Sequence, residues 1–184
     1  ANETVYMVMR YERGRTLQQQ IQMRQDQMSE RLVRHVFMHL LSGLREVHTH
    51  KLLHLDIKPA NIYLRTDGSP VLLDFGAARQ TLTTQRPKLA PMYTPGFAAP
   101  EQYRDPDRLG PWTDVYGTGA SMFACLAAFA PQAADARIQE DHLVSAKKIW
   151  SGQYSDTVLE VIDWCLRLDP LERPQSVFAL QKAI

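Results

Sequence analysis

Cysteine is scarce in this sequence. Cys125 and Cys165 are the only two in 184 residues, and both lie inside apolar stretches. Thiols in that setting read as reduced and buried, which argues against a disulfide scaffold and predicts a cytoplasmic chain. A long hydrophobic run is also missing. The longest, Ala120 to Ala130, falls well short of the roughly 20 residues that cross a bilayer, and no basic, apolar leader opens the chain, so no membrane segment is expected. Charge of either sign is not in excess: 21 basic against 20 acidic side chains leave a net charge of +1. So even a balance gives no reason to expect nucleic acid or an anionic membrane as the main partner, and it leaves the oligomeric state open. Glycine-rich phosphate loops are lacking too. Gly117-Thr118-Gly119 sits in an apolar helical stretch, without the third glycine or the preceding strand that a nucleotide fingerprint requires.

What remains has the composition of one ordinary globular domain, with no internal repeat and no low-complexity tract. Thr4 to Met9 reads as a strand, and Arg10 to Gly14 as a polar turn. Thr16 caps a short helix through Met23, and a polar connector leads to a helix from Ser29 to about Thr49. In that helix Leu32, Val33, Val36, Phe37, Leu40, Leu41, Leu44 and Val47 define one broad buried face. Trp112 to Pro131 is apolar nearly all round, as a helix buried on every side would be. Further helices are expected over Ile138–Trp150 and Asp156–Leu168, with a last one opened by Pro174. His35 and His39 share a helix face, but no glutamate lies between them as a zinc-hydrolase helix needs, and they read as surface or packing residues. His48 and His50 are expected to serve the carbonyls at the end of their helix.

Chemistry concentrates between residues 54 and 76. His54-Leu55-Asp56-Ile57-Lys58-Pro59-Ala60-Asn61 precedes a β-hairpin in which Ile62-Tyr63-Leu64 and Val71-Leu72-Leu73 flank the turn Thr66-Asp67-Gly68-Ser69. Asp74-Phe75-Gly76 follows. A hairpin brings its open ends together, so Asn61 and Asp74 are expected side by side, an oxygen pair that suits Mg²⁺. Asp56, in the loop ahead of the hairpin, can accept a proton from a hydroxyl, and Lys58 can neutralise a moving phosphoryl group. Positioning and electrostatic stabilisation are what phosphoryl transfer asks of a protein.

These segments, with Ala99-Pro100-Glu101 downstream, resemble the catalytic loop, the metal loop and the closing motif of the activation segment in eukaryotic-type serine/threonine protein kinases. The last segment is closer to bacterial members. The resemblance implies a mainly α fold with a small β-hairpin, the large C-terminal lobe of a kinase over residues 1–184 with the N-terminal lobe absent. Residues 1–14 would hold the hinge, 54–61 the catalytic loop and 74–101 the activation segment. It implies ATP and Mg²⁺ as cofactors and a protein serine or threonine as acceptor. Asp56 would be the base, Lys58 the charge stabiliser, Asn61 and Asp74 the metal ligands. Thr94, in Tyr93-Thr94-Pro95-Gly96-Phe97, would hydrogen-bond both Asp56 and Lys58. Met9 would line the adenine pocket, and the backbone of Arg10 and Glu12 would bind adenine. His54 would brace the loop, Asp114 would open the central helix, and Glu101 would pair with Arg173.

Two departures matter. Leu55 stands where many members carry an arginine that grips a phosphate on the activation segment, so switching through Thr81, Thr83 or Thr84 by that contact is not expected. The glycine-rich loop, the strand lysine and its glutamate partner have no counterpart in these residues, so the isolated chain is expected to be inactive. A small-molecule kinase of the aminoglycoside type and a non-catalytic, pseudokinase-like binding module are the alternatives.

Overall fold

The computed structural model describes residues 11–23, 27–75, 79–80 and 93–184. The strand expected over Thr4–Met9, the residues Met9 and Arg10, and the threonines 81, 83 and 84 lie outside them. Strand β1 (Gly14–Thr16) runs into helix α1 (Leu17–Gln22), followed by α2 (Glu30–Thr49), β2 (Leu52–Leu53), β3 (Ile62–Arg65), β4 (Pro70–Leu72) and β5 (Arg79–Gln80). Helices α3 (Pro100–Arg104), α4 (Pro111–Ala127), α5 (Ala134–Gln139), α6 (Ala146–Trp150), α7 (Asp156–Cys165) and α8 (Val177–Ala183) complete the chain.

Thr16 caps α1 as its sequence predicts: its hydroxyl accepts from Gln19 N–H, and the Gln19 side chain accepts from Thr16 N–H. The apolar face of α2 is buried at Val33, Val36, Phe37, Leu40, Leu41 and Leu44. Helix α4 is the centre of the fold, with every residue from Thr113 to Leu126 buried. The Thr118 and Ser121 hydroxyls spend themselves on their own helix, Thr118 donating to Asp114 O at 2.8 Å and Ser121 to Gly117 O at 2.7 Å. It ends four residues earlier than expected, at a left-handed Ala128.

The expected hairpin is present as β3 and β4, antiparallel, with Ile62 opposite Leu72 and Leu64 opposite Pro70. Asp67 fixes the turn by accepting from Ser69 N–H at 2.9 Å. Strand β1 adds to the other edge of β3, giving the order β1-β3-β4. Gly14 was expected only to turn the chain. Instead it pairs with Arg65, and a Cβ there would lie 2.0 Å from Leu64 O, so glycine is what lets the two strands close. A second small sheet pairs β2 with β5, the latter within the segment 74–101.

Two helix expectations need correction. The helix expected over Ile138–Trp150 is two, α5 and α6, because Asp141 takes a bidentate pair from Arg137 and accepts from Leu143 N–H, while Ser145 caps a new start at Lys148 N–H. The last helix is opened by Ser176, not Pro174; the Ser176 side chain accepts from Ala179 N–H. Among the described residues no helix is long and apolar enough to cross a membrane.

Candidate active site

Asp56 lies on the stretch between β2 and the hairpin, where Asn61 and Lys58 of the same loop and Thr94 from a distant segment meet it. The Thr94 hydroxyl donates to Asp56 Oδ1 at 3.0 Å. The Asn61 amide nitrogen donates to Asp56 Oδ2 at 2.9 Å and to its carbonyl at 2.8 Å. Lys58 Nζ lies 2.8 Å from Asp56 Oδ2 and donates to the Thr94 hydroxyl at 2.8 Å. An ionised carboxylate offers about two acceptor sites per oxygen. Among the described residues Thr94 is the donor to Oδ1, so that oxygen retains an acceptor site for a further hydroxyl.

The hairpin does bring Asn61 and Asp74 to one mouth. Leu73 N–H donates to Asn61 O at 2.8 Å, and Asp74 follows with a left-handed φ of 59°, its side chain exposed. Because the Asn61 nitrogen is committed to two Asp56 oxygens, the amide orientation is settled and its oxygen is the atom left to face a ligand. A carboxamide oxygen and a carboxylate oxygen are hard donors of the kind Mg²⁺ takes, so the residues present fit that ion.

The loop that carries Asp56 is held from beneath by α4. Asp114, wholly buried, accepts from His54 N–H at 2.9 Å, Leu55 N–H at 2.7 Å and His48 Nε2 at 2.7 Å. His48 therefore does not serve a helix carbonyl as its position suggested, whereas His50 does, through Glu46 O at 3.0 Å. His54 is fully buried; its Nδ1 accepts from Asp56 N–H at 3.3 Å and its Nε2 donates to Leu73 O at 2.9 Å, with the ring edge-on to Phe75. Both ring nitrogens are thus spent on the backbone of the two functional loops. Gly117 supplies the remaining support. A Cβ at this position would meet Ile57 O at 2.8 Å, so the first glycine of the triplet that failed as a phosphate loop seats the loop that carries Asp56.

Glu101 and Arg173 form a buried bidentate pair, Nη1 to Oε1 at 2.8 Å and Nη2 to Oε2 at 3.0 Å. The Thr113 hydroxyl makes a third bond to the Glu101 carboxylate, at Oε1. This pair locks α3, which ends the segment carrying Thr94, to the start of α4 and to the turn before α8. Farther out, Glu12 O accepts from the Tyr63 hydroxyl at 3.0 Å, and its carboxylate lies 3.4 Å from Arg65. Of the residues expected to contact adenine, Glu12 alone is described. Cys125 and Cys165 are buried free thiols, and burial pushes both well above the usual thiol range. The His35 and His39 rings lie against each other at a tilt of 47°, and among the described residues no three acidic, cysteine or histidine side chains gather as a metal cluster.

Gln102, Asp114's partner His48, and Gly117 were not foreseen as parts of the site. Asp114 followed from resemblance. His48 carried one weak signal, its place four residues before a Leu52-Leu53 strand that leads straight to His54.

The profile of the family described as protein kinase domain matches residues 1–183. Serine/threonine-protein kinase PknA of Nostoc sp. is 33% identical over 183 residues, covering 94% of this chain and 31% of that protein. Serine/threonine-protein kinase C of Synechocystis sp. is 31% identical over 194 residues, covering 99% and 34%. The chain thus spans about a third of the length of these relatives. Among solved structures, the PpkA-294 apo form superposes with a TM-score of 0.78 at 30% identity, over 94% of this chain and 60% of that one. By sequence and by fold, the chain belongs to the protein kinase family, among serine/threonine kinases that include bacterial ones.

Proposed function

We propose that this chain is the catalytic lobe of an ATP-dependent serine/threonine protein kinase, with Asp56 as the base. The observation that carries this reading is the convergence on one carboxylate of Thr94, Lys58 and Asn61. In the reaction the acceptor hydroxyl oxygen bonds to the γ-phosphorus of ATP, the bond to the β-phosphate oxygen breaks, and ADP leaves. The hydroxyl proton passes to Asp56 Oδ1, the oxygen with an acceptor site to spare. Thr94 and Asn61 orient that carboxylate, and Lys58 faces the oxygens of the group in transfer, where its charge offsets theirs.

Asn61 and Asp74 would hold Mg²⁺, which would offset the negative charge of the phosphate oxygens. Met9 and the backbone of Arg10 and Glu12 would contact adenine. The Thr94 bridge between Asp56 and Lys58 supports a serine or threonine acceptor over tyrosine. It also weighs against an aminoglycoside kinase, as does the Glu101–Arg173 lock. A polypeptide of these 184 residues alone offers one wall of an ATP site, so weak Mg-ATP binding and no turnover are expected of it, since small-molecule sites normally enclose most of the ligand. Two buried thiols agree with a cytoplasmic setting.

The test is transfer of labelled γ-phosphate by the natural full-length protein to a casein-like protein and, separately, to an aminoglycoside. Label on protein serine or threonine supports the proposal; label on the aminoglycoside alone, or none on either, overturns it.

A further inference from the structure

The residue that leads into Asp56 is gripped on both its backbone polar groups. Leu55 has a left-handed φ of 65°, which a non-glycine residue holds only where the surroundings enforce it. Its N–H donates to Asp114 Oδ1 at 2.7 Å, and its C=O accepts from the Gln102 side-chain nitrogen at 2.8 Å. Leucine has no polar side chain, so these backbone groups are the handles available at this position.

Gln102 is 5% exposed and uses both ends of its amide. While the nitrogen serves Leu55 O, the oxygen accepts from Ala99 N–H at 2.9 Å. Exchanging the two ends would set N–H against N–H and oxygen against oxygen, so the orientation is unambiguous. Ala99 belongs to the same stretch as Thr94, whose carbonyl accepts from Phe97 and Ala98 N–H in a tight turn. One side chain therefore spans the loop that carries the base and the segment that presents Thr94 to it.

We infer that Gln102 is a positioning residue for the proposed transfer: it fixes the peptide ahead of Asp56 relative to the turn that bears Thr94, and so sets the Asp56–Thr94–Lys58 geometry. A simpler role is the cap of α3, in which a side chain three residues into the helix reaches back to the N–H at its start. That role needs only the oxygen. A carboxylate would fill it equally well, whereas the bond to Leu55 O requires a donor. The catalytic consequence rests on the protein-kinase reading; the positioning itself does not.

The two are separated with Gln102→Glu and Gln102→Met in the natural full-length protein, followed by amide hydrogen exchange over residues 54–58 and by phosphotransfer as a function of pH. For Gln102→Met, exchange at the Leu55 and Asp56 amides is expected to quicken while that of α2 and α4 holds. Its kcat should fall about tenfold, the effect of roughly one lost hydrogen bond, with KM for Mg-ATP little changed. Gln102→Glu keeps the α3 cap but, while ionised, sets a buried carboxylate against Leu55 O, so it is expected to lose thermal stability at neutral pH and regain it as pH falls. Its kcat relative to wild type should recover as pH falls, because the protonated carboxyl regains a donor for Leu55 O. Wild-type exchange at both amides in Gln102→Met, or a Gln102→Glu profile parallel to wild type, overturns the inference. Should Gln102→Met not fold, Gln102→Glu decides alone. A wild-type protein without transfer to serine or threonine would sink the functional proposal instead, and the exchange data would still decide the positioning.

Discussion

Replacing Arg173 by methionine should unfold much of this domain under mild denaturant. The guanidinium is 1% exposed and makes five bonds: two to the Glu101 carboxylate, and one each to Arg167 O at 2.7 Å, Leu168 O at 2.9 Å and Trp112 O at 3.2 Å. It also lies 4.9 Å over the Tyr116 ring. Methionine fills the space but leaves a buried carboxylate without its cation, which costs about 3–5 kcal/mol. Three carbonyls lose a donor as well, at about 1 kcal/mol each where water cannot replace it. Since a domain's whole stability is about 5–15 kcal/mol, a loss of about 3–8, set by how many of the carbonyls water reaches, would remove a large part of it. Glu101→Gln should cost less, about 1–3 kcal/mol, because the amide oxygen can still accept from Arg173 or Thr113 and the three carbonyls keep their donor. Urea unfolding followed by tryptophan fluorescence and extrapolated to water measures both. A loss below about 1 kcal/mol for Arg173→Met, or one no larger than that of Glu101→Gln, would refute the assignment of the lock to the arginine side.

Gly117→Ala should push Ile57 and the catalytic loop away from α4, costing about 1–3 kcal/mol of stability and, disproportionately, activity; wild-type kcat in this variant would contradict the steric account. Asp74→Asn should raise the Mg²⁺ concentration needed for nucleotide binding, and a superimposable magnesium titration would remove Asp74 from the metal site. The hydrogen bonds from Arg137 hold the Asp141 carboxyl below its ordinary range. A lowered folded value means stability that is present above the usual carboxylate range and lost as pH falls through the depressed value. Asp141→Asn should therefore flatten the acid side of the stability profile, modestly because the carboxylate is partly exposed, and an unchanged acid limb would count against the pair.

Helix α2, the hairpin and α4 were legible because each carries a long-range pattern in short-range form: eight apolar positions on one face, an Asp-Gly turn between two strands, an all-round apolar run. The pairing of Asn61 with Asp74 across the hairpin mouth followed from the same geometry. What escaped depends on partners far off in the chain. Three residues of β1 become a strand because Gly14 allows Leu64 O to approach, and two residues of β2 do so against β5. The break between α5 and α6 is a contest between apolar periodicity and the polar grip of Arg137 on Asp141, which no local propensity records. Gln102 and His48 look like ordinary helix residues until the fold sets them against Leu55 and Asp114.

The central claim is that Asp56 takes the proton of an acceptor hydroxyl. Asp56→Asn is nearly isosteric; with its oxygen kept toward Asn61 and Lys58, its nitrogen faces the Thr94 hydroxyl, which can accept, so the site should hold its shape while losing its base. The deciding measurement is the rate of γ-phosphate transfer by full-length wild type and Asp56→Asn at saturating Mg-ATP, with nucleotide affinity measured on the same preparations. The account predicts a fall in kcat of about a hundredfold or more, within the range that general-base catalysis contributes, at nearly unchanged affinity. Equal rates in the two proteins would contradict it.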